Sequence, residues 1–142
     1  MKQPYNLIQV FTRDDLKLSG LMLDGDKTKT AALFVHGFIG DFYLHKFYHL
    51  IAKNLSEKKN ALILAQTRGT GLRTEFIKRD GSEIYLGSYY EKIEEAHLDI
   101  SAFLDYLLKD GYQKICLIGF SYGTIKVIRY LFEGQHKDNI SK

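Results

Sequence analysis

Ser121 is the residue whose neighbours best equip it to act as a nucleophile. It lies in Gly119-Phe120-Ser121-Tyr122-Gly123, which matches the G-x-S-x-G pattern. The short apolar run Ile115-Cys116-Leu117-Ile118 precedes it and reads as a buried parallel strand. Beyond it, Ile125, Ile128 and Leu131 or Phe132 recur at helical spacing. A strand that turns at once into a helix holds the serine in a strained backbone conformation, and bulky groups two residues to either side would collide. Gly119 and Gly123 are what such a turn requires. It lifts the Ser121 hydroxyl above the sheet edge, beside a helix N-terminus whose backbone N–H groups can stabilise an oxyanion. The plainer alternative is a tight β–α turn in which Ser121 only caps the helix.

Other residues invite other chemistry, less convincingly. Asp41, His45 and His49 share a helix stripe with metal-ligand spacing, but His45-Lys46-Phe47-Tyr48-His49 lacks the glutamate of H-E-x-x-H. The expectation is a solvated helix edge with Asp41 as its cap and no metal. Gly69-Thr70-Gly71 follows a strand-like run, yet Thr74 stands where a third glycine would be and no G-K-[ST] follows. Nucleotide binding is therefore not expected. The 10 tyrosines and 9 phenylalanines can line an apolar acyl site, although their spacing suits core positions as well.

The elements that must hold Ser121 follow from periodicity. Leu7 to Thr12 and Leu16 to Leu23 read as two strands joined by the turn Arg13-Asp14-Asp15. Ala31 to Val35 and Ala61 to Ala65 are continuous apolar runs, hence strands buried on both faces. Between them Asp41 opens a helix with the stripe Leu44, Tyr48, Ile51 and Leu55. Residues 66 to 87, punctuated by Gly69, Gly71, Gly81 and Gly87, read as a long loop over the C-terminal edge of the sheet. Ser88-Tyr89-Tyr90-Glu91 has capping-box spacing before a helix that buries Ile93, Ala96, Ile100, Leu104 and Leu107 and stops at Gly111. The fold class is α/β: one domain over 1–142, a mainly parallel sheet with helices on both faces.

Composition excludes several classes. A length of 142 residues with 45% hydrophobic and 26% charged residues describes an ordinary globular domain. A net charge of +3, carried by scattered lysines, gives no nucleic-acid footprint. The apolar runs at 31–35 and 61–65 are too short to span a bilayer, and Met1 to Val10 lacks the apolar centre of a signal peptide. The single cysteine, Cys116, permits no internal disulfide. A cytoplasmic protein is expected.

Taken together, these motifs resemble the N-terminal half of an α/β-hydrolase. His36-Gly37 after a buried strand is similar to that family's HG oxyanion loop. Arg68-Gly69-Thr70-Gly71 after the next strand is similar to its R-G-x-G segment, and Gly119 to Gly123 to its nucleophile elbow. The resemblance covers nearly the whole chain. It implies that Ser121 is the acyl-accepting nucleophile, that the backbone N–H groups of Phe38 and Tyr122 are the oxyanion donors, and that His36 braces the loop. It implies acyl transfer to water on a small-molecule carboxylic ester, with no metal or organic cofactor.

Two positions depart from that pattern. Gln66 stands where many members carry an acid. More seriously, the family places its acid and then its histidine after the serine, on later loops. Here only Glu133, His136 and Asp138 follow, on or just beyond the elbow helix. His136 is about 20 Å from Ser121 along that helix, and His97 flanks its own helix's apolar stripe. The triad is incomplete, which implies a C-terminally incomplete fold. Two functions remain: a serine-dependent esterase of which this is a portion, and a non-catalytic hydrolase-like module that at most binds a partner. Without a following strand, Ile115 to Ile118 becomes an exposed edge. Its expected partners are a complementing C-terminal chain or a second copy.

Overall fold

The apolar runs pair into a five-stranded sheet whose parallel half carries the serine. The computed structural model describes residues 5–141. Met1–Pro4, part of the stretch searched for a leader, and Lys142 lie outside them. The strands are β1 (Asn6–Phe11), β2 (Lys17–Leu23), β3 (Thr30–Val35), β4 (Ala61–Ala65) and β7 (Lys114–Gly119), in the order β1-β2-β4-β3-β7. β1 pairs antiparallel with β2, and β2 with β4, while β4, β3 and β7 run parallel. Val35 is in register with both Ala65 and Gly119, so the loops leaving these three strands meet at one edge of the sheet.

Side chains alternate across β3 and so define two cores. Ala31, Leu33 and Val35 pack with Ile100, Phe103, Leu104 and Leu107 of α2 (Ala96–Lys109) and with Tyr130 of α3 (Tyr122–Glu133). Ala32 and Phe34 pack on the other side with Tyr48 and Ala52 of α1 (Lys46–Glu57). Helices therefore cover both faces. β3 and β4 are buried nearly throughout, as their unbroken apolar runs require. Among the described residues no helix is long and apolar enough to cross a membrane.

Four local expectations need correction. Asp41 does not cap α1. Its Oδ1 accepts the N–H groups of Tyr43 and Leu44 in a tight turn, and the helix starts at Lys46 after an uncapped His45. An Asx turn competes well with a cap at such a position, and it leaves Leu44 68% exposed. The stretch 66–87 is not loop throughout but holds the hairpin β5 (Thr74–Ile77) and β6 (Glu83–Leu86). Each strand is only four residues long and half exposed, too weak a pattern to stand out from glycine-rich sequence. Ser88 and Glu91 form no capping box, because a 3₁₀ turn over Ile93–Glu95 precedes α2 and both side chains are used elsewhere. Finally, the apolar stripe of α3 faces outward. Ile125 and Ile128 are half exposed, Leu131 nearly so, and Phe132 is 77% exposed, while Gly123, Lys126 and Tyr130 face the sheet.

These positions predict opposite responses to truncation. Leu33→Ala, at a fully buried site, should lower the unfolding free energy by about 3 kcal/mol. Leu44→Ala should change it by no more than about 0.5 kcal/mol. Urea unfolding of both variants checks the contrast, and equal losses would contradict the placement of Leu44.

Candidate active site

Ser121 adopts φ 54° and ψ −124° between the end of β7 and the first residue of α3. A non-glycine residue in that region stores strain, which surrounding contacts must hold. They do so by close approach. A Cβ on Gly123 would collide with the carbonyl oxygen of Val35 and come within 2.7 Å of that of His36. A Cβ on Gly119 would lie 2.6 Å from the oxygen of Gly123. The N–H of Phe120 donates to the Val35 carbonyl at 3.0 Å, stitching the turn to the end of β3. The elbow helix is thus seated directly on the strand that leads into His36-Gly37.

That strand brings its loop to the serine. A Cβ on Gly37 would come within 2.9 Å of Ser121 Cβ and 3.4 Å of its Oγ, so only glycine lets the loop pass. Next along, Phe38 sets its ring edge-on to that of Tyr122, centroids 6.3 Å apart. Tyr122 opens α3, so its N–H lacks an intrahelical partner. The N–H of Phe38 takes no partner among the described residues. The next residue, Ile39, has φ 53°, and its N–H donates to Ser88 Oγ at 2.7 Å. Ser88 Oγ in turn donates to the Gly69 carbonyl. Gly37 thus brings the loop that carries Phe38 up against Ser121, beside the first residue of α3.

His36 is fully buried behind this rim. Its Nε2 accepts from the N–H of Thr67 at 3.3 Å and faces the hydroxyls of Thr67 and Thr70 at 3.1 and 2.9 Å. Because an N–H can only donate, Nε2 is the unprotonated nitrogen, and Nδ1–H donates to the Gly37 carbonyl at 2.9 Å. The same carbonyl accepts from the Gly40 N–H, and the N–H of Gly71 reaches the Gly40 carbonyl. Burial, reinforced by the Lys126 cation, pushes His36 down to about 4, so it is neutral at pH 7. Both ring nitrogens are committed to the loop, and neither is free to take a proton from Ser121.

Charges gather one layer deeper. Arg68, 2% exposed, donates through its backbone N–H and Nε to the buried Asp99, through both Nη atoms to Asp14, and through Nη1 to Glu95. Burial opposes its charge, but Asp99 and Asp14 outweigh burial and raise its pKa. Lys126 is equally buried and pairs with Glu91. The sequence reading missed Lys126 because a lysine opposite an apolar stripe reads as a solvent-facing residue. It missed Glu91 because the spacing to Ser88 suggested a cap. The later residues Glu133 and His136 are engaged far along α3: Glu133 with Arg129, and His136 with Asp105. α3 is about 18 Å long, which keeps both away from Ser121. Asp41, His45 and His49 do not gather. His49 Nε2 bonds to the Tyr43 carbonyl, and no cluster of metal-binding side chains forms among the described residues.

The chain has the α/β-hydrolase fold, over its N-terminal portion. Its likeness is to esterase Pf2001 of Pyrococcus furiosus (TM-score 0.71, 21% identity, 94% of this chain against 46% of that one). It is similar as well to Est1E of Butyrivibrio proteoclasticus, solved with ferulic acid bound (0.70, 20%, 92% against 49%). A third match is the α/β-hydrolase GrgF of a Penicillium species (0.71, 16%, 93% against 43%). The chain spans about half the length of these structures. No family model and no curated protein matches it in sequence.

The state of His36 makes acid stability a test of this loop. Its pKa is depressed on folding, so the unfolded chain binds the extra proton between its ordinary 6.5 and about 4. The stabilisation is present above pH 6.5 and is lost as pH falls toward 4, by about 3 kcal/mol in all. Denaturant unfolding from pH 7 to pH 4 should show this loss, and His36→Asn should flatten it. Equal slopes in the two proteins would reject the buried, neutral ring.

Proposed function

We propose that this chain supplies the nucleophile and oxyanion hole of a serine-dependent carboxylic-ester hydrolase. The observation that carries the reading is Ser121, exposed at a strained strand–helix junction, with the Gly37–Phe38 loop packed against it. In the reaction Ser121 Oγ bonds to the ester carbonyl carbon while its proton passes to a histidine supplied from beyond these residues. The two N–H groups hold the oxyanion, and losing one such donor costs about 3–4 kcal/mol of barrier. The alcohol leaves with that proton, and water then releases the acid and regenerates the hydroxyl. This chemistry needs neither metal nor organic cofactor. The rim is apolar, with Phe38 57% and Phe120 47% exposed, which suits an uncharged small-molecule ester over nucleic acid. The lone thiol of Cys116, in the core strand, fits a cytoplasmic setting.

A non-catalytic module is the second reading, favoured by one observation: His36, His49, His97 and His136 are each held by hydrogen bonds elsewhere, and the exposed His45 packs its ring against Phe47 and Tyr48. Ser121→Ala, made in the protein produced with the polypeptide that completes its sheet, separates the two. Turnover of a short-chain aryl ester should fall by several orders of magnitude. Turnover retained within a few-fold would remove Ser121 from the reaction.

The partner reading concerns β7. Ile140 forms a parallel bridge to Ile115, and the Ser141 N–H donates to the Ile115 carbonyl at 2.8 Å. A further strand is thereby begun along the open side of β7, beneath the exposed stripe of α3. We propose that a complementing strand and its helix continue this pairing, and that without them a second copy does so. Sedimentation of the purified chain should show species above the monomer, shifted toward monomer by Ile128→Lys with Phe132→Lys. A monomer at all concentrations would exclude self-association.

A further inference from the structure

Lys126 has no business inside a small domain on stability grounds alone. Its side chain is 1% exposed and faces the 2% exposed side chain of Glu91, with Nζ 2.5 Å from Oε1. Both Glu91 oxygens lack a geometrically sound hydrogen bond, so the contact is one of charge. Buried pairs of this kind are commonly no better for stability than well-packed apolar residues of similar volume. Their connections therefore matter more than their strength.

Those connections run to the oxyanion loop. Lys126 Nζ donates to Thr67 Oγ1 at 3.1 Å. An ammonium only donates, so Thr67 Oγ1 is the acceptor, and the same hydroxyl lies 3.1 Å from the unprotonated His36 Nε2, which the Thr70 hydroxyl also faces at 2.9 Å. His36 Nδ1–H then donates to the Gly37 carbonyl, one residue before Phe38. A continuous run of polar contacts thus joins α3, which carries the N–H of Tyr122, to the loop that carries the N–H of Phe38. The two N–H groups sit on separate elements and must aim at a single point within a few tenths of an ångström. Packing at Gly37 and Gly123 brings the elements close. The orientation of the Phe38 peptide is set by hydrogen bonds on either side of it, from His36 Nδ1–H to the Gly37 carbonyl and from the Ile39 N–H to Ser88 Oγ.

We propose that Lys126, held by Glu91, is a positioning residue that sets the Phe38 N–H against the Tyr122 N–H through Thr67 and His36. The proposal rests on the esterase reading above, and its test is arranged to tell the two apart. The variant is Lys126→Met with Glu91→Met, which removes both charges and keeps the volume. Three quantities are read: the thermal midpoint, kcat and KM for an aryl ester in the completed protein, and the His36 ring titration by NMR in the 142-residue chain. The expected result is an unchanged or higher midpoint, kcat lower by about a hundredfold, as for a catalytic group misplaced by about 1 Å, and KM within about threefold. The His36 titration should move upward, since the Lys126 cation helps to depress it while Asp41 acts in the opposite sense.

Retention of kcat within about threefold in a folded double variant would overturn the proposal. So would an unmoved His36 titration. If the variant unfolds, Thr67→Val, which keeps the volume and removes the hydroxyl that joins Lys126 to His36, is measured instead, and the same criterion applies. If the parent shows no turnover dependent on Ser121, the esterase reading is what has failed. The coupling of α3 to the loop then stands or falls on the His36 titration and on the Phe38 amide signal, which should shift in the double variant.

Discussion

The structure turns on the contact between the start of α3 and the end of β3. No atom larger than hydrogen fits on Gly123 toward the Val35 and His36 carbonyl oxygens, and the Phe120 N–H bonds to the same Val35 oxygen. Parallel pairing places Val35 opposite Gly119, so the two strands end level. The strained backbone of Ser121 is sustained by this seating. Any side chain at position 123 would lift the helix and relax the turn. The strain is therefore maintained by packing of backbone on backbone, the least compressible contact in the fold.

From that contact the rim is built outward and braced from behind. His36 cannot act as a base and a brace at once, and its hydrogen bonds commit it to bracing. Burial keeps it neutral, which in turn lets Nε2 accept from the Thr67 N–H. Arg68 performs a similar service one layer deeper, joining Asp14 in the turn after β1 to Glu95 and Asp99 at the start of α2. Burying the Arg68 and Asp99 charges is costly unless each finds partners. Here the guanidinium's five donors make that possible, and the turn after β4 is held rigid beside the oxyanion loop.

The far side of the sheet's parallel half is the more open one. β7 has β3 on one flank and only the Ile115–Ile140 bridge on the other among the described residues. Above it, α3 presents Ile125, Ile128 and Phe132 to solvent. Solved structures of the same fold are about twice as long as this chain. An open strand edge and an exposed apolar helix stripe are features that folded proteins ordinarily cover.

Much of this was readable in one dimension. Unbroken apolar runs specified β3 and β4, because a strand covered on both faces has no polar positions to offer, and the run at 115–118 specified β7, although only Ile115 of it is fully buried. G-x-S-x-G between strand and helix patterns specified the elbow, because only glycines tolerate its close approaches. What the sequence could not convey was which side of α3 faces inward. Its apolar period is real, yet the seating of Gly123 turns Lys126 and Tyr130 toward the sheet and leaves the apolar stripe outside. Nor could it reveal the partners of Glu91, Ser88 and Asp14, since each bonds to a residue far away in sequence. Local spacing determines element type, whereas rotation of a helix and pairing of buried charges are decided by contacts that exist only once the chain has packed.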